Sequence, residues 1–280
     1  MSTSTLLRVS DLSIDYAIKG ATVKAVEQVS FSIGAGEVLG LVGESGSGKS
    51  SVAQAILGLL DKQSSSVSGE IAFCGENIFS FDDRRWGAVR GKRIGMLFQS
   101  PESSFNPVST IGAQIVEALQ WHQGLSTAAA WQKASLALQQ VGMARPEEVL
   151  HNYAFELSGG MCQRAALALV MALQPALVLA DEPAASLDIL AQAELVQWLA
   201  QVQRQTKFSM LVISHDLNLI ARLADRVLVM AAGRILEEGP THRVLNQPQH
   251  RYTATLVNAV PRLVPFSETT GALAPSMDQR

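Results

Sequence analysis

The sequence predicts an α/β chain: a largely parallel sheet covered by helices on both faces, with a helix-only block inserted into it. Three observations predict this. Short apolar runs alternate with helical patterns, as parallel strands and their crossovers do. A glycine-rich loop, GESGSGKS at Gly43–Ser50, joins one such run to a helix. Between Ser100 and Ala172 the strand signals stop, and apolar residues recur three and four apart.

The elements follow in order. Leu7–Tyr16 and Val23–Ile33 interleave β-branched with polar residues and read as strands. Gly34–Gly36 is a turn, and Glu37–Val42 is an apolar run suited to a buried central strand. After the glycine loop, Lys49–Leu60 has helical apolar spacing, and Ser64–Ser68 reads as a polar loop. Glu70–Phe73 and Arg93–Phe98 are further strands. IGAQIVEALQW and AAAWQKASLALQQVGM are helices of the inserted block, which Pro146 punctuates. Strands resume at Ala176–Ala180, Met210–Ser214 and Arg226–Met230, separated by helices at Leu190–Gln205 and Leu217–Leu223. The residues after Pro261, rich in Ser, Thr, Gly and Pro, are expected to be a loosely ordered tail.

Composition narrows the function classes. Across 280 residues, 48% are hydrophobic and 17% charged, enough to bury a sizeable core. The 22 basic against 25 acidic residues give a net charge of −3, which argues against nucleic acid as a partner. Cys74 and Cys162 match no metal spacing and read as reduced thiols. The first residues hold no signal-peptide-like apolar run. The longest apolar run, Ala165–Leu173, is far short of the roughly 18–20 residues that span a bilayer.

The motifs carry the chemistry. Gly43, Glu44, Ser45, Gly46, Ser47, Gly48, Lys49 and Ser50 fit the G-x-x-x-x-G-K-[ST] pattern between a strand and a helix. The glycines let backbone N–H groups turn inward around phosphate oxygens, and the helix N-terminus adds a favourable dipole. Lys49 supplies a point charge for the β- and γ-phosphates, and the Ser50 hydroxyl suits Mg²⁺. The strand Leu177–Ala180 ends in Asp181 and Glu182. Beside a phosphate loop, Asp181 can enter a Mg²⁺ shell while Glu182 polarises an attacking water. His215 follows another apolar strand; it is either a satisfied core imidazole or a hydrogen-bond partner of the γ-phosphate or the water. Gln99 ends a strand at the same sheet edge. Tyr16 ends the first strand and either stacks on a nucleobase or packs in the core. His122, His151, His242 and His250 read as surface or structural. Ser158, Gly159 and Gly160 open the helix after Leu157 as a second anion-binding N-terminus.

In this order, Gly43–Ser50, Gln99, LSGGM at Leu157–Met161, Asp181-Glu182, Ser186-Leu187-Asp188 and His215 resemble the ATP-binding subunits of ABC transporters. The resemblance covers about residues 6–260. It implies a P-loop NTPase core with a mostly parallel sheet, an N-terminal antiparallel β-subdomain and a helical subdomain at about 100–172. It implies ATP and Mg²⁺ as ligands, with Ser51 continuing the phosphate loop's contacts. It also implies a head-to-tail dimer in which Ser158, Gly159 and Gly160 clamp the partner's ATP. Tyr16 then takes the adenine, Gln99 touches metal and water and signals to the membrane subunit, and Asp188 reaches across the interface.

Finer features resemble the oligopeptide, dipeptide and nickel importer branch: Leu97–Pro107, Leu157–Arg164 and QPQHRYTATLVNAVP at Gln247–Pro261. LSGGM with LADEP is more similar to the first of two paired, non-identical ATPase subunits. That resemblance implies a paralogous second ATPase subunit, two transmembrane permease subunits and, indirectly, an extracytoplasmic solute-binding protein. It implies a peripheral place on the cytoplasmic face of a bacterial inner membrane. Peptide is the expected cargo, with nickel or a metal chelate as the alternative and a soluble, non-transport ATPase as the less favoured reading. Two features depart from the branch. The segment after Glu182 reads PAASLD rather than PTTALD, with no expected loss of activity. A cysteine-bound C-terminal cluster is rejected because no cysteine follows Cys162.

Overall fold

A computed structural model describes residues 5–18 and 20–259. The expected loose tail at 261–280 lies outside them. Two sheets organise the chain. In the first, β1 (Thr5–Ile18), β2 (Ala21–Gly34), β4 (Ser65–Phe73) and the short β5 (Glu76–Asn77) lie in the order β2-β1-β4-β5, all antiparallel. The serines expected to form a loop at Ser64–Ser68 instead enter β4 from Ser65, pairing Ser65–Ser68 with Ser13–Tyr16. They lack apolar alternation because most of this stretch of β4 is exposed; cross-strand pairing with β1, not burial, makes it a strand.

The second sheet has the order β10-β9-β3-β8-β7-β6, from β3 (Val38–Val42), β6 (Ile94–Leu97), β7 (Leu177–Asp181), β8 (Ser209–Ser214), β9 (Arg226–Ala231) and β10 (Arg234–Pro240). Its pairings are parallel except for β10, which turns back along β9. The central strands are near-continuous apolar runs, with polar side chains only at the ends of β7 and β8, because both faces are covered. Leu39, Leu41, Leu179, Leu211, Ile213 and Leu228 face one core with α1 (Lys49–Ile56) and the antiparallel sheet. Val38, Val42, Val178, Ala180, Val212 and Val229 face the other core. That core is built with α3 (Ile111–Gln123), α4 (Thr127–Gln140), α5 (Pro146–His151), α6 (Gly159–Leu173), α7 (Ile189–Thr206) and α8 (Leu217–Leu223). Not foreseen from the sequence are α2 (Asp83–Val89), β10, α9 (Thr241–Asn246) and α10 (Arg251–Ala259). Among the described residues no helix is long and apolar enough to cross a membrane.

Parallel register positions the site. Val42, the last residue of β3, pairs with Ser214 of β8 and Val229 of β9, and Asp181 of β7 pairs with Ile213. The glycine loop, Glu182 and His215 therefore leave the sheet side by side, at the strands' carboxyl ends. Leu97 pairs with Ala180, which brings Gln99 to the same edge.

Candidate nucleotide site

The loop between β3 and α1 is held close to the protein backbone. A Cβ on Gly43 would stand 2.0 Å from the Met230 carbonyl oxygen, and one on Gly48, at φ +103°, 2.2 Å from that of Ala25. Neither position admits a side chain. The Lys49 ammonium lies along the loop at 6% residue exposure. Its Nζ donates to the carbonyl oxygens of Gly43 and Glu44, each at 2.8 Å, and to Ser47 Oγ at 3.4 Å. Burial pushes its pKa down, and the Glu182 and Asp181 carboxylates pull it back up.

Opposite the loop, Ser50 Oγ donates to Asp181 Oδ1 at 3.2 Å. Burial raises the Asp181 pKa, opposed by the Ser50 hydrogen bond and reinforced by the neighbouring Glu182. Glu182 has φ +49°, the left-handed region that L-residues adopt at a cost of order 1–3 kcal/mol. That turn aims its carboxylate at β8. Oε1 accepts the His215 backbone N–H at 3.0 Å and His215 Nδ1 at 2.9 Å, and Oε2 accepts Ser214 Oγ at 3.2 Å. Beside a carboxylate, Nδ1 must carry the proton. Nε2 of the neutral ring is then an acceptor, on a side chain 67% exposed against 15% for Glu182.

A cavity of about 590 Å³ opens over these groups. Glu44–Gly46, Gly48–Ser51, Gln99, Glu182, His215 and Ala25 line it. Tyr16 lies alongside: its ring packs against the core under the antiparallel sheet, and its Oη donates to Ser51 Oγ at 3.1 Å. Ser158, Gly159, Gly160 and Asp188 do not line the cavity. They form a second cluster, in which a Cβ on Gly159 would stand 3.7 Å from Leu187 and one on Gly160 3.2 Å from Ala191. Ser158 Oγ accepts the Met161 N–H and N-caps α6. Asp188 Oδ1 accepts the Ala191 N–H and N-caps α7.

Several contacts here were not foreseen from the sequence. Ser214 orients Glu182, and its place just before His215 was the available signal. Ser186 Oγ donates to the Gln99 carbonyl oxygen at 3.1 Å, tying two of the motifs together. Gln163, fully buried in α6, donates to the Phe98 carbonyl oxygen at 3.5 Å. Ala25 carried no signal, because its role depends on the antiparallel sheet reaching the loop.

A glycine cradle, a buried lysine and paired carboxylates at the carboxyl edge of a parallel sheet define a P-loop nucleotide-binding protein. The family model described as "ABC transporter" matches residues 26–185, and that of the "Oligopeptide/dipeptide transporter, C-terminal region" matches residues 236–279. The chain belongs to the ABC transporter family and is an ATP-binding subunit of that type. It is 37% identical to the dipeptide transport ATP-binding protein DppD of Escherichia coli over 268 residues, 96% of this chain and 82% of that protein. It is 45% identical to the peptidoglycan transport ATP-binding protein YejF of Agrobacterium fabrum over 262 residues, 93% of this chain. The chain spans about half the length of YejF, 48%. Among solved structures it is similar to cbiO1 from Clostridium perfringens, part of the ABC transporter complex cbiONQ. The TM-score is 0.73 at 25% identity, over 87% of this chain and 91% of that one. The dimeric cassette MJ0796 bound to ADP and Pi shares the fold, with a TM-score of 0.74 at 24% identity, over 84% of this chain and 98% of that one.

Proposed function

We propose that this chain hydrolyses ATP to energise a membrane importer of di- or oligopeptides. The observation that carries the catalytic half is the convergence of Lys49, Ser50, Glu182 and His215 on one cavity, with Asp181 hydrogen-bonded to Ser50 beside it. The match of residues 236–279 to the peptide-transporter C-terminal region and the DppD relative support the cargo. One ATPase domain spans residues 6–260, with its helical subdomain at about 100–172.

Each residue has a physical task. The loop N–H groups from Ser45 to Ser51 wrap the phosphates, and Lys49 leaves the Gly43 and Glu44 carbonyls to meet the β- and γ-oxygens. Tyr16 flanks the adenine. Ser50 and Asp181 offer adjacent oxygens, and Gln99 a third, to Mg²⁺. The donor set fits that ion: among the described residues no three His, Cys, Asp or Glu side chains form a cage, and Mg²⁺ takes few protein oxygens beside phosphates and waters. When bound, Mg²⁺ supplies charge neutralisation at the β- and γ-phosphates. Glu182, held by Ser214 and His215, takes the proton of the attacking water. His215 keeps that carboxylate aimed and accepts a hydrogen bond from the water on Nε2.

Ser158, Gly159, Gly160 and Asp188 serve the nucleotide of a second ATPase subunit, a non-identical paralogue, because they stand outside this chain's own cavity. Two permease subunits complete the importer on the cytoplasmic face of the bacterial inner membrane, and an extracytoplasmic binding protein delivers the cargo. The test is uptake by a deletion strain. Labelled di- and tripeptide uptake returns with the native chain and not with Glu182→Gln. Return of nickel uptake alone overturns the peptide assignment.

A further inference from the structure

The motif Gln247–Pro261 has no task in the site above, yet its described part reaches into the phosphate loop. Tyr252, in the first turn of α10, accepts the Glu44 backbone N–H on its Oη at 3.2 Å. The tyrosine is firmly seated. Glu237 on β10 accepts the N–H groups of Gln249 at 2.8 Å and His250 at 3.0 Å. His250 Nδ1 then accepts the Tyr252 N–H at 3.1 Å, satisfying a first-turn donor that has no acceptor within the helix. The Tyr252 ring packs with Leu256 and Val257 against the core on the helical side of the sheet. Glu237 and α10 both fall within residues 236–279, the stretch matched by the peptide-transporter C-terminal region.

The other end of this contact is the first leg of the loop. Gly43 is pressed against the Met230 carbonyl, and the carbonyl oxygens of Gly43 and Glu44 are bridged by the Lys49 ammonium. Binding phosphate requires that ammonium to leave those carbonyls. Tyr252 is then the side chain that still holds the Glu44 peptide. We propose that Tyr252 is a positioning residue for the phosphate loop, and that the C-terminal segment, seated through Glu237, is a brace that sets the subunit's affinity for nucleotide. This rests on the reading of Gly43–Ser51 as the ATP loop and adds a regulator to it. A leg held in its bound shape loses less freedom on binding, so the brace acts on affinity rather than on the chemical step.

Tyr252→Phe tests this, because it keeps the ring's packing and removes only the acceptor. In the full-length chain, the Kd for ATP should rise about three- to tenfold, the effect of one hydrogen bond, with ADP affected alike. In the assembled transporter, KM for ATP should rise in parallel while kcat at saturation stays at its native value, and the melting temperature without nucleotide should fall by only about 2–4 °C, since the same single bond is present in the free chain. Glu237→Gln should raise Kd in the same direction by a smaller factor, and combined with Tyr252→Phe it should add little, since both act through one contact. An unchanged Kd in Tyr252→Phe overturns the brace alone, and so does a loss confined to kcat or to apo stability. A native chain that binds no ATP overturns the reading of the loop itself.

Discussion

Replacing Glu182 by Gln removes a charge and a proton acceptor while changing few atoms. The native carboxylate receives three donors: Ser214 Oγ at 3.2 Å, His215 N at 3.0 Å and His215 Nδ1 at 2.9 Å. The amide oxygen of Gln can keep both His215 donors. Its NH₂ then faces Ser214 Oγ, a hydroxyl that can accept as well as donate. Folding therefore loses charge assistance rather than partners, about 1–3 kcal/mol in total. The effect on turnover is larger. A positioned general base contributes about 10²–10⁴ in rate, roughly 3–5 kcal/mol of barrier. ATP binding should persist, because neither the loop N–H groups nor Ser50 and Asp181 depend on Glu182 for their places. One side effect has a defined sign. Glu182 raises the Lys49 pKa and the Asp181 pKa, so the variant should lower both. The assay pairs phosphate release by the assembled complex with equilibrium ATP binding by the purified chain. Turnover within about threefold of native, in a variant that binds ATP normally, refutes Glu182 as the base.

Three further outcomes follow from the geometry. Lys49→Ala removes the buried ammonium from the cradle and should weaken ATP binding itself by about 10–100-fold, read by calorimetry. Ser158→Arg should spare ATP affinity in the isolated chain and abolish ATPase in the assembled complex. It also removes the α6 N-cap at a cost of about 1 kcal/mol, so thermal unfolding is measured alongside; loss of ATP binding by the isolated chain would show that this helix end acts on its own loop. Cys74 is exposed, whereas Cys162 is fully buried and its thiol is pushed up to about 11 by burial, helped by Glu102. At pH 8 a thiol reagent should modify Cys74 in the native chain and both cysteines in denaturant. Because the folded pKa lies above the unfolded one, the Cys162 contribution to stability is complete below about pH 8.5 and is lost as pH rises through 11, a loss that Cys162→Ala should remove.

The nucleotide machinery was legible in the sequence because its parts are local. The glycine loop needs backbone freedom within a few residues, and Asp181-Glu182 and His215 each follow an apolar strand that is visible as a run. Parallel pairing then brings such strand ends together without further instruction, so finding the strands was enough to place the carboxylates beside the loop. What the tertiary structure decided depends on partners distant in the chain. The serines at Ser65–Ser68 are a strand only because β1 lies beside them. Ala25 lines the cavity only because β2 approaches the loop. The direction of His215 was open in the sequence, and it is the left-handed turn at Glu182 that brings that carboxylate onto Nδ1. Tyr252 and Glu44 stand 208 residues apart. No periodicity or spacing encodes that contact: it exists because β10 returns antiparallel along β9, and a carboxylate on that edge strand seats the last described helix against the loop.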